Sequence, residues 1–90
     1  MLRPVTTTKF KRDLKRGKKQ KRELKELKDV MEMLIQQKPL PIKYRDHKLL
    51  GELRDCRECH VENDWLLVYR TTEDEITFVA IGSHAELFKK

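Results

Sequence analysis

Residues 56–69 read Cys56-Arg57-Glu58-Cys59-His60-Val61-Glu62-Asn63-Asp64-Trp65-Leu66-Leu67-Val68-Tyr69, and the fold turns on how this stretch divides. Trp65 to Tyr69 is an apolar, β-favouring run of the kind found in a central strand. The incoming half is different: Arg57, Glu58, Cys59, His60 and, after Val61, Glu62 fill a segment that pairing with such a strand would make apolar. Two strands joined across Glu62-Asn63-Asp64 account for both halves. Local rules tend to break at functional sites, so the polar incoming strand is the first place to look for chemistry. The turn sets Asp64 near His60, an acid and an imidazole at the mouth of one hairpin.

Outward from the hairpin, Leu53 to Val61 and Trp65 to Thr71 form its two strands, and Glu75 to Ile81 forms a third after a turn at Thr72-Glu73-Asp74. Gly82 and Ser83 break that strand before His84, and Ala85 to Phe88 suits one closing helical turn. On the other side, Ile42 to Gly51 is a connecting loop bearing Tyr44, Arg45, Asp46 and His47. Pro39 and Pro41 end the helix before it, since each lacks a backbone donor and disfavours helix in the preceding residue. That helix spans roughly Lys18 to Gln37, with Leu24, Leu27, Val30, Met31, Leu34 and Ile35 repeating at three- and four-residue steps along one stripe. Gly17 separates it from a first helix capped by Thr8, on which Phe10 and Leu14 share a face. Leu2 to Thr8 favours a short strand. Strand, helix, helix and then three strands make an α+β fold, with two N-terminal helices on one face of an antiparallel-rich sheet.

The 90 residues form a single domain, 1–90, with one modest core. Hydrophobic residues make up 38% and charged residues 40%, but the apolar ones cluster periodically, which indicates folding rather than disorder. No apolar run approaches the ~20 residues of a membrane span, and no signal-peptide core follows Met1, so a cytoplasmic location and no membrane partner are expected. The net charge of +6 is uneven: residues 1–38 hold 13 Lys/Arg and 5 Asp/Glu, residues 39–90 hold 8 and 10. A basic half of this size suits a polyanion such as RNA, or an acidic protein; a solvated lysine-rich helix face would look the same.

Cys56-Arg57-Glu58-Cys59-His60 matches the C-x-x-C-H pattern of covalent haem attachment. Haem attachment needs export, and on a strand Cys56 and Cys59 would face opposite sides of the sheet, which disfavours a disulfide or shared metal. Two reduced thiols, with no cofactor and no metal, are the simpler expectation. His47, His60 and His84 carry more weight. Cleaving RNA by transesterification takes a base for the ribose 2′-hydroxyl, an acid for the leaving 5′-oxygen and a cation for the phosphorane. Histidine serves the first two because it titrates near neutrality, and no metal is needed.

Three blocks carry a family resemblance: Tyr44-Arg45-Asp46-His47-Lys48-Leu49 with Gly51; Arg57 through Tyr69; and Gly82-Ser83-His84-Ala85-Glu86-Leu87-Phe88. Together the chain resembles the YafQ-type toxins of the RelE/ParE superfamily of bacterial toxin–antitoxin systems. The resemblance implies a microbial-ribonuclease-like fold and a ribosome-dependent mRNA endonuclease, held inactive by a cognate antitoxin. By position, His47, His60, Asp64 and His84 match the family's catalytic set. On that basis His47 and His60, with Asp64, activate the 2′-hydroxyl, and His84 protonates the leaving group. Trp65 and Phe88 match positions near the cleft, although a strand tryptophan is more simply core. Arg57 either holds phosphate or pairs with a carboxylate. Lys18, Lys19, Lys21 and Arg22 are expected to attract RNA or an acidic antitoxin. The family usually has arginine two residues before the glycine, where this chain has Ala80, and the missing cation implies weakened cleavage. The competing class is a non-catalytic module, a ParE-like toxin or an RNA binder, which needs no histidine set.

Overall fold

The computed structural model describes residues 1–88. The chain runs β1 (Arg3–Thr6), α1 (Thr8–Lys19), α2 (Leu24–Ile35), a 3-10 turn (Ile42–Tyr44), β2 (His47–Lys48), a second 3-10 turn (Gly51–Leu53), β3 (Arg57–Glu62), β4 (Trp65–Thr71), β5 (Glu75–Gly82) and α3 (His84–Phe88). The five strands lie in the order β1-β5-β4-β3-β2. β1 runs parallel to β5, and every other pairing is antiparallel. No helix among the described residues is long and apolar enough to cross a membrane.

Helices α1 and α2 cover one face. Phe10, Leu27, Val30 and Leu34 meet Cys59, Val61, Trp65, Leu67, Tyr69, Ile76, Phe78 and Ile81 in the main core. The expected stripe on α2 is therefore real: three of its six residues are buried, and Leu24, Met31 and Ile35 flank them. Asp13, also buried, ties α1 to the sheet. It accepts a hydrogen bond from the Ile81 amide (3.1 Å) and pairs with Lys9 and Arg16 (both 3.2 Å). Trp65 is core, with 1% of its surface exposed.

Several boundaries differ from expectation, each for a physical reason. Thr7, not Thr8, caps α1, its hydroxyl accepting from the Phe10 amide at 2.9 Å. Gly17 does not stop α1. A Cβ there would lie 2.8 Å from Trp65 Cζ2, so the missing side chain makes room for the indole. The helix ends at Lys19, ahead of Lys21 in the left-handed region, and α2 starts only at Leu24. β3 begins at Arg57 rather than Leu53, because Gly51–Leu53 coils into a 3-10 turn that accepts from the Arg54 amide. Pairing slips between Val68 and Tyr69, leaving Val79 as an extra residue of β5. Unbroken alternation along Glu75–Ile81 would put Ile76 and Phe78 with Ala80 on the cleft face; with the slip they join Ile81 under the helices, while Val79 packs on the opposite side. Cys56 and Cys59 do lie in separate clusters on opposite faces.

Candidate active site

Paired residues on adjacent strands project from the same face of a sheet. One row on the face away from the helices is His47–Glu58–Val68–Ala80, and the next is His60–Leu66–Gly82. After Gly82 and Ser83 comes His84, the first residue of α3. A capping box holds it there: the Ser83 amide donates to Glu86 Oε1 (2.8 Å) and the Glu86 amide donates to Ser83 Oγ (3.1 Å). That hydrogen bond from Ser83 is the main reason the Glu86 carboxyl is held below its usual range. The result is a line of rings. His47 and His60 are 6.2 Å apart between centroids, His60 and His84 6.0 Å, and His84 and Phe88 6.2 Å. All three predicted imidazoles and Phe88 thus come together.

The acids are distributed differently from expectation. Asp64 turns to His84, not His60: its Oδ1 accepts from the His84 amide at 3.0 Å and lies 3.1 Å from Nδ1. Those hydrogen bonds, the amide's first, hold the Asp64 carboxyl below its ordinary range. A register slip between His60 and Glu62 offsets the turn so that Asp64 faces α3, while the His60 ring meets the Asn63 backbone instead. The acid beside the other two imidazoles is Glu58, with Oε1 at 3.3 Å from His47 Nε2 and 3.9 Å from His60 Nε2. Its side chain is only 5% exposed, and Oε2 has no hydrogen-bond partner among the described residues. Glu58 was legible in principle, since it stands two residues before His60 on one strand and therefore shares its face.

Each imidazole is oriented by a neighbour. His47 Nδ1 lies 2.7 Å from the Arg45 carbonyl, so a proton on Nδ1 leaves Nε2 toward Glu58. Burial lowers the pKa of His60, opposed by Glu58 and assisted by the positive charge of Arg45; its ring also bonds the Asn63 backbone. One ligand atom each from His47, Glu58 and His60 lie within 4.8 Å of one another, and two imidazoles with a carboxylate suit a divalent transition metal.

The predicted cations divide. Arg57 projects to the helix side, where it pairs with Asp46 at 3.2 Å, and the Tyr69 hydroxyl donates to the same carboxylate. That is the carboxylate pairing offered as its alternative role. Lys18 and Lys19 close α1, with Lys21 exposed just beyond. Arg22 reaches the site: it stacks over Trp65 at 5.7 Å and donates to the Asp64 carbonyl at 3.3 Å. Ala80 sits on the imidazole face, 4% exposed, clustered with Cys56 and Val68 beneath Leu49, Val79 and Leu87.

Residues 2–89 match the family described as bacterial toxin of type II toxin-antitoxin system, YafQ. The mRNA interferase toxin YafQ of Escherichia coli K12 is 39% identical over 80 residues, covering 88% of this chain and 87% of that protein. YafQ in the E. coli DinJ-YafQ toxin–antitoxin complex superposes with a TM-score of 0.90 at 36% identity, covering 98% of this chain and 99% of that one. A metal-bound toxin from Helicobacter pylori gives 0.91 at 46% identity, covering 98% and 100%. Fold, imidazole line and relatives define the RNA-cleaving toxin of a bacterial type II toxin–antitoxin pair, an enzyme rather than a passive module. The chain belongs to the YafQ toxin family.

Proposed function

We propose that this chain cuts mRNA in the ribosomal decoding site by acid–base transesterification, that it acts in the cytoplasm, and that a cognate antitoxin silences it. The observation that carries this reading is the line of three imidazoles with a carboxylate at each end, Glu58 between His47 and His60 and Asp64 on His84. His60, its pKa lowered by burial, is neutral near pH 7 and accepts the 2′-hydroxyl proton, with Glu58 and His47 beside it. His84, hydrogen-bonded to an ionised Asp64, carries the proton that the leaving 5′-oxygen takes. Phe88, stacked beside His84, offers a face for a neighbouring base.

The basic end of α1 and the following turn, with Lys18, Lys19, Lys21 and Arg22, continue from the Asp64 end of the site and suit ribosomal RNA or an acidic antitoxin. Ala80 leaves the imidazole face without the family's usual arginine, which supports a reduced rate. A divalent metal fits the donor set of His47, Glu58 and His60. When bound it would take up the nitrogen lone pairs that proton abstraction needs, so its expected effect is inhibition.

The test is single-turnover cleavage on programmed ribosomes. His60→Ala and His84→Ala should each lower the rate by about 10²–10⁴-fold, the range for general acid–base groups. Unchanged rates in both variants would overturn the assignment.

A further inference from the structure

Strand β2 pairs with only Arg57 and Glu58 of β3, so the outer edge of β3 from His60 onward is left open. Facing that open edge is the turn at Ile42–Tyr44, and between them lies a cavity of about 460 Å³. Its walls are Lys43 to Arg45 on one side and His60 to Asn63 on the other, with Glu26 of α2 contributing a carboxylate. His60 belongs both to this cavity and to the imidazole line.

The polar groups are arranged in two parts. Cations stand on one wall: Lys43 lies 5.0 Å over the Tyr44 ring, and Arg45 follows it. Arg45 is exposed, and its guanidinium enters none of the ion pairs among the described residues. Its backbone is left-handed, at φ 49° and ψ 45°, a conformation glycine adopts at less cost. Its amide donates to Ile42 and its carbonyl contacts the His47 ring, so the turn is fixed relative to the imidazoles. Acceptors make up the second part. The Tyr44 hydroxyl donates to Glu26, and that bond, the largest cause, pushes the Tyr44 pKa up to about 12, so the carboxylate keeps its orienting donor. Glu62 and the Asn63 amide complete the set.

We propose that this cavity is a nucleotide subsite next to the scissile bond, in which Arg45 holds a phosphate and Glu26, Glu62 and Asn63 read the Watson–Crick edge of an unstacked base. It rests on the RNA-cleaving reading of the imidazole line. Single-stranded RNA is read in this way, by splaying a base into a pocket that hydrogen-bonds its edge. A carboxylate accepts and does not donate, so the best base presents adjacent N–H donors. Guanine does, through N1–H and the 2-amino group. Uracil flanks its single N–H with two carbonyl oxygens, which would face the carboxylates unfavourably. Arg45 is also the cation available to the phosphate in a chain that has alanine at position 80.

The experiment reads binding without turnover. ¹⁵N-labelled chain is titrated with 3′-guanosine monophosphate, 3′-uridine monophosphate and inorganic phosphate, following amide shifts. Expected are shifts at Arg45, Glu62 and Asn63, and an affinity for the guanosine nucleotide at least about tenfold above that for the uridine one, the low end for a bidentate base contact. Arg45→Gly, which suits the left-handed backbone, should weaken all three ligands at least fivefold, and Arg45→Lys should recover part of the loss. Glu62→Gln should reduce the guanosine preference. Shifts confined to other residues, equal affinity for the two nucleotides, or Arg45→Gly binding like the parent would overturn the proposal. A chain that binds as expected but cuts no RNA fails the catalytic reading alone. One that cuts RNA without these shifts fails the subsite alone.

Discussion

Replacing Ala80 with arginine tests whether the imidazole face lacks a cation it can use. Ala80 pairs with Val68 on β4, and Val68 pairs with Glu58 on β3. Two strand spacings, about 9–10 Å, therefore separate the Ala80 and Glu58 backbones. An extended arginine directed across Val68 bridges most of that gap, and Glu58 Oε2, without a hydrogen-bond partner among the described residues, is there to receive it. The guanidinium would then flank His60 with donors left for the non-bridging oxygens as charge builds on the phosphorane. One preorganised donor of this kind is worth about 10²–10³ in rate, or roughly 3–4 kcal/mol. Against this, Ala80 is nearly buried, and Leu49 and Leu87 must yield to a larger side chain. Such overpacking costs about 1–3 kcal/mol of stability. The expected outcome is at least a tenfold rise in single-turnover cleavage, with a melting temperature several degrees lower. Ala80→Met supplies the control, adding bulk without charge, and should lose stability with no gain in rate. A folded Ala80→Arg chain that cuts no faster than the parent would refute the reasoning.

Gly17→Ala should destabilise the chain by about 1–3 kcal/mol, because the clash with Trp65 outweighs the ~1 kcal/mol of helix propensity that alanine brings; a higher melting temperature would count against it. The pH dependence follows from His60, whose pKa in the folded chain is lowered from 6.5 chiefly by burial. Cleavage should gain activity with rising pH through a midpoint below 6.5, and an acidic limb centred above that value would contradict a buried neutral base. Stability carries the same sign: the unfolded chain binds the proton more readily, so this contribution is complete above about pH 6.5 and is lost as pH falls through the folded value. Reversing the charges of Lys18, Lys19, Lys21 and Arg22 should weaken ribosome association at low salt, with the difference fading at high salt; equal loss at both would indicate misfolding instead.

The hairpin was legible because its two halves differ so sharply in polarity, and the α2 stripe because six apolar residues keep a helical period. The prolines gave the end of α2 to within two residues. What the sequence did not reveal comes largely from two slips in strand pairing. An extra residue at Val79 reverses the facing of β5, so alternation placed Ile76 and Phe78 on the wrong side. Ala80 still reached the imidazole face, because the slip falls just before it. The slip between His60 and Glu62 sends Asp64 to His84 and leaves Glu58 as the acid for the other pair. A strand of two residues, His47–Lys48, is too short to show any period, and it is defined only by its pairing with β3. Gly17 read as a break because its reason for being glycine, the Trp65 ring, lies far along the chain.

The central claim is that His60 and His84, in the line of three imidazoles, move protons while the ribose 2′-hydroxyl attacks its own phosphate, and the chemistry of the cut ends tests it most directly. Transesterification leaves a 2′,3′-cyclic phosphate on one fragment and a free 5′-hydroxyl on the other. The chain, produced without antitoxin and supplied with programmed ribosomes and mRNA, should yield those ends, and His84→Ala should slow their appearance. Ends bearing a 5′-phosphate and a 3′-hydroxyl would contradict the account.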